Sequence, residues 1–259
     1  MTTVNDIYCF IDEIAPFALQ EGYDNSGLII GNGENGVSKA LIALDVTEDI
    51  ALEAEQAGAD LIVTHHPVIF RALKRIDTKT PLGVLLANDV SVISAHTNFD
   101  SAKMNDILCE RLGLVPCEPL AVENGVPVGY ICGSETELNA VQLAERIKKA
   151  LGNKVVRYND LSRTFVHNEK KIKRIAVCSG SGGSFLGDVL SKKADCYITG
   201  DVKHDVFIDA HNAGLCVFDA GHFHTENIFC EYMKKLLSER FPDVSFDTAK
   251  NNRDIISYI

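Results

Sequence analysis

Short, almost unbroken apolar runs alternating with helix-patterned stretches constrain this chain more than any other feature. ALIALDVT (40–47), ADLIVTHH (59–66) and SVISAHTNFD (91–100) read as strands. EDIALEAEQAG (48–58) and PLGVLLANDV (81–90) read as helices between them, and a further helix is expected from Met104 to Leu112. Strands that are apolar at successive positions are covered on both faces, and strands joined through helices lie parallel. The pattern therefore predicts a largely parallel sheet with helices on both sides. The order then returns: RIAVCSGSGG (174–183) as strand and loop, SFLGDVLSKK (184–193) as helix, ADCYITGD (194–201) as strand, HDVFIDAHNAG (204–214) as helix. LCVFDAGHFHTE (215–226) follows as a strand with a polar end, and a helix from Asn227 to Leu237 closes the series. Ala59-Asp60 and Ala194-Asp195 open matched strands, Thr64 and Thr199 lie near their ends, and His96-x-x-x-Asp100 is matched with His222-x-x-x-Glu226. The expected fold class is α/β: two intertwined, internally duplicated α/β units, residues 1–112 and 173–259, with strands alternating with helices. Independent recurrence of the common βαβ unit is the alternative to duplication. Residues 113–172 are expected as a short connector layer of strand (PVGYICGS), helix (LNAVQLAERIKKALG) and strand (KVVRYND), separate from both.

Ahead of the first core strand, Ile7, Phe10, Ile11, Ile14 and Phe17 share one helical face, and Thr3 with Asp6 makes a capping box. A turn-rich stretch, EGYDNSGLIIGNGENG, follows. The net charge of −11 argues against general nucleic-acid binding, which needs positive charge for the phosphates. A basic run, EKKIKR (169–174), reads as a local basic patch or, by preference, a solvated strand edge. The start lacks a basic, apolar leader and no apolar run nears the roughly 20 residues of a membrane helix, so a soluble cytoplasmic protein is expected. Eight cysteines without a C-x-x-C pair fit reduced thiols packed in a core.

In parallel sheets ligands gather at the carboxyl ends of strands, and there the chain places His65, His66, His96, His222 and His224, with His204 close behind and His167 and His211 elsewhere. His65 and His66 reach one cavity if the backbone turns at the strand end before Pro67; otherwise they serve packing or surface. Asp100 is a metal ligand or a helix N-cap. His96 is a ligand, an orienter of other ligands or a general base. His222 and Glu226 share a face if the helix has begun by His222; otherwise Glu226 only complements the helix dipole. Three imidazoles and two carboxylates suit two ions of zinc, iron, manganese, cobalt or nickel, sharing a water whose pKa falls to about 7. Smaller candidates for substrate binding or proton transfer are Asp24 and Asn25 in GYDNSGL, Asp201, Lys203 and His204 in TGDVKHD, and the turn CSGSGGSF around Gly182, which either cradles a phosphate or simply links strand to helix.

VTHHPVIF (63–70), SAHTNFDSA (94–102), ITGDVKHD (198–205) and DAGHFHTE (219–226), with YDNSGL near the start, resemble the GTP cyclohydrolase 1 type 2 homolog family, also called Nif-three-like or dinuclear metal-binding. The resemblance runs along nearly the whole chain. It implies the Nif-three-like fold, a toroidal homohexamer, and a dinuclear metal site whose ligands match His65, His66, Asp100, His222 and Glu226 here. The chain departs from the family pattern at Tyr23, where tryptophan is usual, in its short connector, and at Lys203-His204-Asp205. Three functions follow as expectations: a metal-dependent hydrolase of a nucleotide-like substrate with GTP as the named candidate and His96 or His204 moving protons, a phosphoesterase using the same centre, or a non-enzymatic metal-handling or regulatory partner.

Overall fold

The computed structural model describes residues 1–123, 125–163 and 171–259. His167, with Glu169 and Lys170 of the basic run, lies outside the described residues. In chain order the elements are α1 (Val4–Ile14), β1 (Gly27–Ile30), β2 (Lys39–Ala43), α2 (Glu48–Ala57), β3 (Leu61–Thr64), α3 (Pro81–Ala87), β4 (Ser91–Ser94), α4 (Thr97–Phe99) and α5 (Asn105–Leu112). There follow β5 (Val115–Glu123), β6 (Val126–Leu138), α6 (Ala140–Leu151), β7 (Arg157–Tyr158), β8 (Ile172–Val177), α7 (Leu186–Ser191), β9 (Cys196–Thr199), α8 (His204–Asn212), β10 (Cys216–Asp219), α9 (His222–Glu226), α10 (Ile228–Arg240) and β11 (Ser245–Thr248). The chain divides into two compact units, residues 1–103 with 229–255, and residues 104–228 with 256–259.

The first unit holds a five-stranded sheet in the order β1-β4-β3-β2-β11. Every residue of β3 and β4 is buried, the polar Thr64, Ser91 and Ser94 at their ends included. The Thr3–Asp6 capping box starts α1 as expected, and the helix stops at Ile14, so Phe17 packs from the next turn. Thr47 caps α2 by accepting from the Ile50 amide, and Gly58, left-handed at φ 59°, ends it. The apolar sides of α2 and α3 (Ile50, Ala54, Leu82, Leu85) close on Leu41, Ile62 and Val92. Two strands went unexpected. β1 lies inside the turn-rich stretch and pairs antiparallel with β4. β11 returns to pair parallel with β2, Ser245 beside Lys39.

The second unit holds a six-stranded sheet, β5-β6-β8-β9-β10-β7, around the parallel trio β8-β9-β10. The connector strands are not a separate layer. β5, a further strand absent from the expected strand-helix-strand, and β6 form an antiparallel hairpin laid on β8, and β7 pairs antiparallel with β10, so they satisfy both open edges of the trio. Unpaired edge groups favour this addition. The same hairpin makes β8 an interior strand rather than the solvated edge expected of the basic run; Lys171 and Lys173 pair with Glu137 at 2.6 and 3.1 Å.

The βαβαβ order is common to both units, with one shared detail. Asp60 accepts from the amides of Ser38 and Lys39, and Asp195 from those of Lys173 and Arg174, each carboxylate fastening the start of the preceding strand. The eight cysteines are thiols, and all but Cys9 and Cys117 are buried. Among the described residues no helix is long and apolar enough to cross a membrane.

Candidate metal centre

In the first unit the site residues sit beyond the carboxyl ends of β2, β3 and β4. Thr64 and Ser94 end β3 and β4 with their hydroxyls 2.8 Å apart. Past Thr64 the backbone is held by bonds from the His65 amide to Ala43 and from the His66 amide to Leu44. Neighbours on a strand face opposite ways, but the strand has ended, and the two imidazoles stand 4.9 Å apart. His96 lies 5.2 Å from the His65 ring and 5.4 Å from the His66 ring. One nitrogen of each falls within 4.8 Å of the others, a grouping able to hold a metal ion. Asp100 Oδ1 is 3.5 Å from His65 Nε2.

The ring orientations are fixed from behind. Nδ1 of His65 is 2.8 Å from the Ala95 carbonyl, which only accepts, so Nδ1 carries a proton and Nε2 is turned to the other side of the ring, toward Asp100. Nδ1 of His66 donates to Asp45 at 2.7 Å, and Nδ1 of His96 to Asp24 at 2.7 Å. Asp24 also accepts from the Ser26 hydroxyl and from the amide and hydroxyl of Thr97. Burial alone would raise its pKa, but the bonds from His96 and Thr97 outweigh that and hold the carboxyl well below the usual carboxylate range. The carboxylate expected to bind substrate is thus occupied in holding His96. Asn25 ties the same loop to the Ile69 carbonyl through its side-chain amide, 2.6 Å away.

Asp100 is not a helix N-cap. The helical path begins at Thr97 with His96 at the cap, and Asp100 opens a π-helical turn, Asp100–Met104, that runs into α5. Such turns place an extra residue in the helix and recur at functional sites.

In the second unit α9 begins at His222, five residues before the helix expected from Asn227, because Gly221 at φ 77° turns the chain straight out of β10. The i, i+4 condition is met: His222 Nε2 lies 2.8 Å from Glu226 Oε2. Nδ1 of His222 donates to Asp201 at 2.8 Å. Glu226 is buried, and a carboxylate in that position carries a desolvation cost that a bound cation offsets. Gly180, at φ 60°, makes room for it: a Cβ there would lie 2.1 Å from Glu226 Oε1 and 3.6 Å from His222 Nε2. The His224 ring lies 5.4 Å from that of Phe223, and among the described residues His224 joins no group of metal-type ligands.

The two His-x-x-x-acid motifs are not equivalent. Counted from the strand ends Ser94 and Asp219, which pair with Thr64 and Thr199, His96 matches Gly221 and His222 matches Thr97. A different repetition is present: Asp45 holds His66 and Asp201 holds His222, each carboxylate 21 residues upstream at the end of the neighbouring strand. Asp45, Gly180 and Thr225, whose hydroxyl accepts from the Gly180 amide, escaped the sequence reading. The shared spacing of 21 was the signal for Asp45.

Three amides of the glycine-rich turn are taken up by side chains. Those of Ser179, Gly180 and Gly182 donate to Asn105, Thr225 and Thr199. Gly182 is buried, with space for a Cβ denied by the Tyr197 hydroxyl 2.3 Å away. Lys203 and His204 are exposed at the start of α8. Among the described residues neither joins a group of metal-type ligands.

The profile of Duf34/NIF3 (NGG1p interacting factor 3) matches residues 2–254. A GTP cyclohydrolase 1 type 2 homolog of Clostridium perfringens is 38% identical over 99% of both chains. The GTP cyclohydrolase 1 type 2 of Helicobacter pylori is 34% identical, over 99% of this chain and 100% of its own. The fold is that of a Staphylococcus aureus hypothetical protein, with a TM-score of 0.90, 24% identity, and 100% and 99% of the chains covered. Reduced HcgD from Methanocaldococcus jannaschii superposes with a TM-score of 0.80 at 31% identity, over 96% of this chain and 98% of that one. With the family profile spanning nearly its full length, the chain belongs to the Duf34/NIF3 family.

Proposed function

We propose that the chain is a metal-dependent hydrolase that holds a pair of divalent ions through His65, His66, Asp100, His222 and Glu226 and acts on a nucleotide-like substrate. The observation that carries this reading is the common fixing of three imidazoles. Nδ1 of His65, His66 and His222 each donates to a carbonyl or carboxylate, which turns Nε2 away from that acceptor, so that Nε2 of His65 faces Asp100 and Nε2 of His222 faces Glu226. Metal-binding histidines are held in this way, and the acceptor raises the basicity of the ligating nitrogen. Three neutral imidazoles with two carboxylates fit zinc, iron, manganese, cobalt or nickel. Ions held there would supply Lewis acidity and lower the pKa of a water to about 7. Asp45, Ala95 and Asp201 hold the rings, and Gly180 leaves the Glu226 carboxylate its space. The names of the Clostridium perfringens and Helicobacter pylori relatives make GTP the first substrate to test. The reading includes a homohexameric assembly, which rests on the family resemblance.

The test is metal content per chain by elemental analysis, on protein purified without chelator, beside a His65→Ala/Glu226→Ala variant. About two equivalents of transition metal in the parent, lost in the variant, are expected. A parent that takes up no metal after reconstitution overturns the site. A fully metallated parent that stays at background on purine nucleotides and on a panel of phosphoesters overturns the hydrolase.

A further inference from the structure

The first unit carries a positively charged, aromatic-edged loop beside its imidazoles that the metal reading leaves unused. The segment FRALKRIDTK (70–79) is exposed at every position. It holds four cations, Arg71, Lys74, Arg75 and Lys79, against one acid, Asp77, in a chain whose net charge is −11. Arg75 pairs with Asp77 at 3.3 Å; among the described residues Arg71, Lys74 and Lys79 have no carboxylate partner. Lone cations of one sign, clustered on an acidic chain, form a local field that attracts anions.

The loop is joined to the imidazole cluster by a row of rings. Tyr23, 67% exposed, meets Phe70, 44% exposed, edge to face at 6.5 Å. Phe70 meets His96 edge to face at 6.0 Å, and His96 adjoins His65 and His66. Edge contacts leave ring faces open to a third aromatic ring. The row is braced by the Asn25 bond to Ile69, next to Phe70. Three amides of the glycine-rich turn expected to receive phosphate, those of Ser179, Gly180 and Gly182, are committed to side chains, whereas this loop sets cations without carboxylate partners next to the aromatic row.

We propose that Tyr23 and Phe70 stack the planar ring of an anionic aromatic ligand while Arg71, Lys74 and Lys79 bind its phosphate groups, which assigns the loop as the substrate-recognition element of the site. This assignment rests on the reading of His65 and His66 as metal ligands for its placement of the reacting part, but not for ligand binding itself. The ring is recognised by stacking, so the loop tolerates different bases; the phosphates are recognised by charge, so affinity falls as salt rises.

The experiment is calorimetric titration of the metal-loaded full chain with GTP, guanosine and inorganic triphosphate, for the parent, Phe70→Ala, and Arg71→Gln/Lys74→Gln. Phe70→Ala is expected to weaken GTP and guanosine about 5- to 150-fold and to leave inorganic triphosphate unchanged. The cation variant is expected to weaken GTP and triphosphate by about 2- to 5-fold for each charge removed and to leave guanosine unchanged. GTP affinity equal to the parent in both variants overturns the proposal, as does a parent that holds metal and binds none of the three ligands. Sedimentation of Phe70→Ala decides one rival role: an assembly that falls apart makes the loop a contact between copies and also overturns it. Ligand binding with the stated pattern in protein that takes up no metal supports the loop while ending the metal reading, so the two fail separately.

Discussion

Replacing Gly180 with alanine tests the assignment of Glu226 through a backbone position that no ligand argument would single out. Gly180 has φ 60°, and the Cβ of an alanine would stand 2.1 Å from Glu226 Oε1. Gly58 provides the control, since its φ is 59° and nothing lies within 4 Å of its Cβ position. The left-handed conformation costs an alanine about 1–2 kcal/mol in either place. At about 2–4 °C for each kcal/mol, both variants should melt about 2–8 °C below the parent in the presence of chelator. Only Gly180→Ala also displaces a carboxylate oxygen, which must retreat by about an ångström to reach ordinary contact. If Glu226 is a ligand, metal affinity falls by about 10- to 100-fold, the range seen when a ligand loses its positioning. Competition against a chromophoric chelator gives the affinity, and melting without metal gives the stability. Equal melting losses with parental metal affinity in both variants would refute the reasoning, because the crowding would then touch nothing that binds metal.

Three further outcomes are expected. Asp45→Ala and Asp201→Ala remove the acceptors of His66 Nδ1 and His222 Nδ1, and each should lower metal affinity about 10- to 100-fold by chelator competition; unchanged affinity in both would show that the rings are held otherwise. Asp24 has a depressed carboxyl pKa in the fold, so its contribution to stability is present above its unfolded value near about 3.9 and is lost as the pH falls through the folded value. Urea melts of Asp24→Asn and the parent should therefore differ at pH 7 and converge in acid; a constant gap would contradict this. Burial raises the thiols of Cys216 and Cys230 to about 12, so the stability they contribute is full below the unfolded pKa near about 8.5 and fades as the pH rises toward 12. The Cys216→Ala/Cys230→Ala variant should show a shallower alkaline decline than the parent, and parallel declines would count against the assignment.

What could be read from the chain and what could not divides along physical lines. β3, β4, β9 and β10 are buried at every position, so their apolar runs declare them without help from distant partners. β11 reads SFDT, with only Phe246 buried, and becomes a strand by pairing with β2 some 200 residues away, which no local pattern records. β1 is a four-residue run between glycines, and Gly31 at φ 102° is required by the Ser91 side chain rather than by a turn. The helix starts at Thr97 and His222 were placed late because neither His96 nor Gly221 makes a side-chain cap bond, so the usual start signal is missing. The five metal-ligand candidates stood out by residue type at strand ends. The residues that orient them did not, since Asp45 and Ala95 reach His66 and His65 across neighbouring strands.

The return of β11 to β2 also sets a timetable for synthesis. Lys39–Ile42 leave the ribosome early, but their partner Ser245–Thr248 emerges roughly 200 residues later, about 10–40 s at the usual rates of translation. During that interval β2 has an uncovered edge, while residues 104–228 form a continuous stretch that can close its own sheet. The later half of the chain is thus positioned to fold first, and the early half must wait with its histidines in place but its sheet unfinished. A chaperone that binds exposed strand edges would find its client in that window, and a nascent chain stalled before Ser245 would be the form most prone to aggregate.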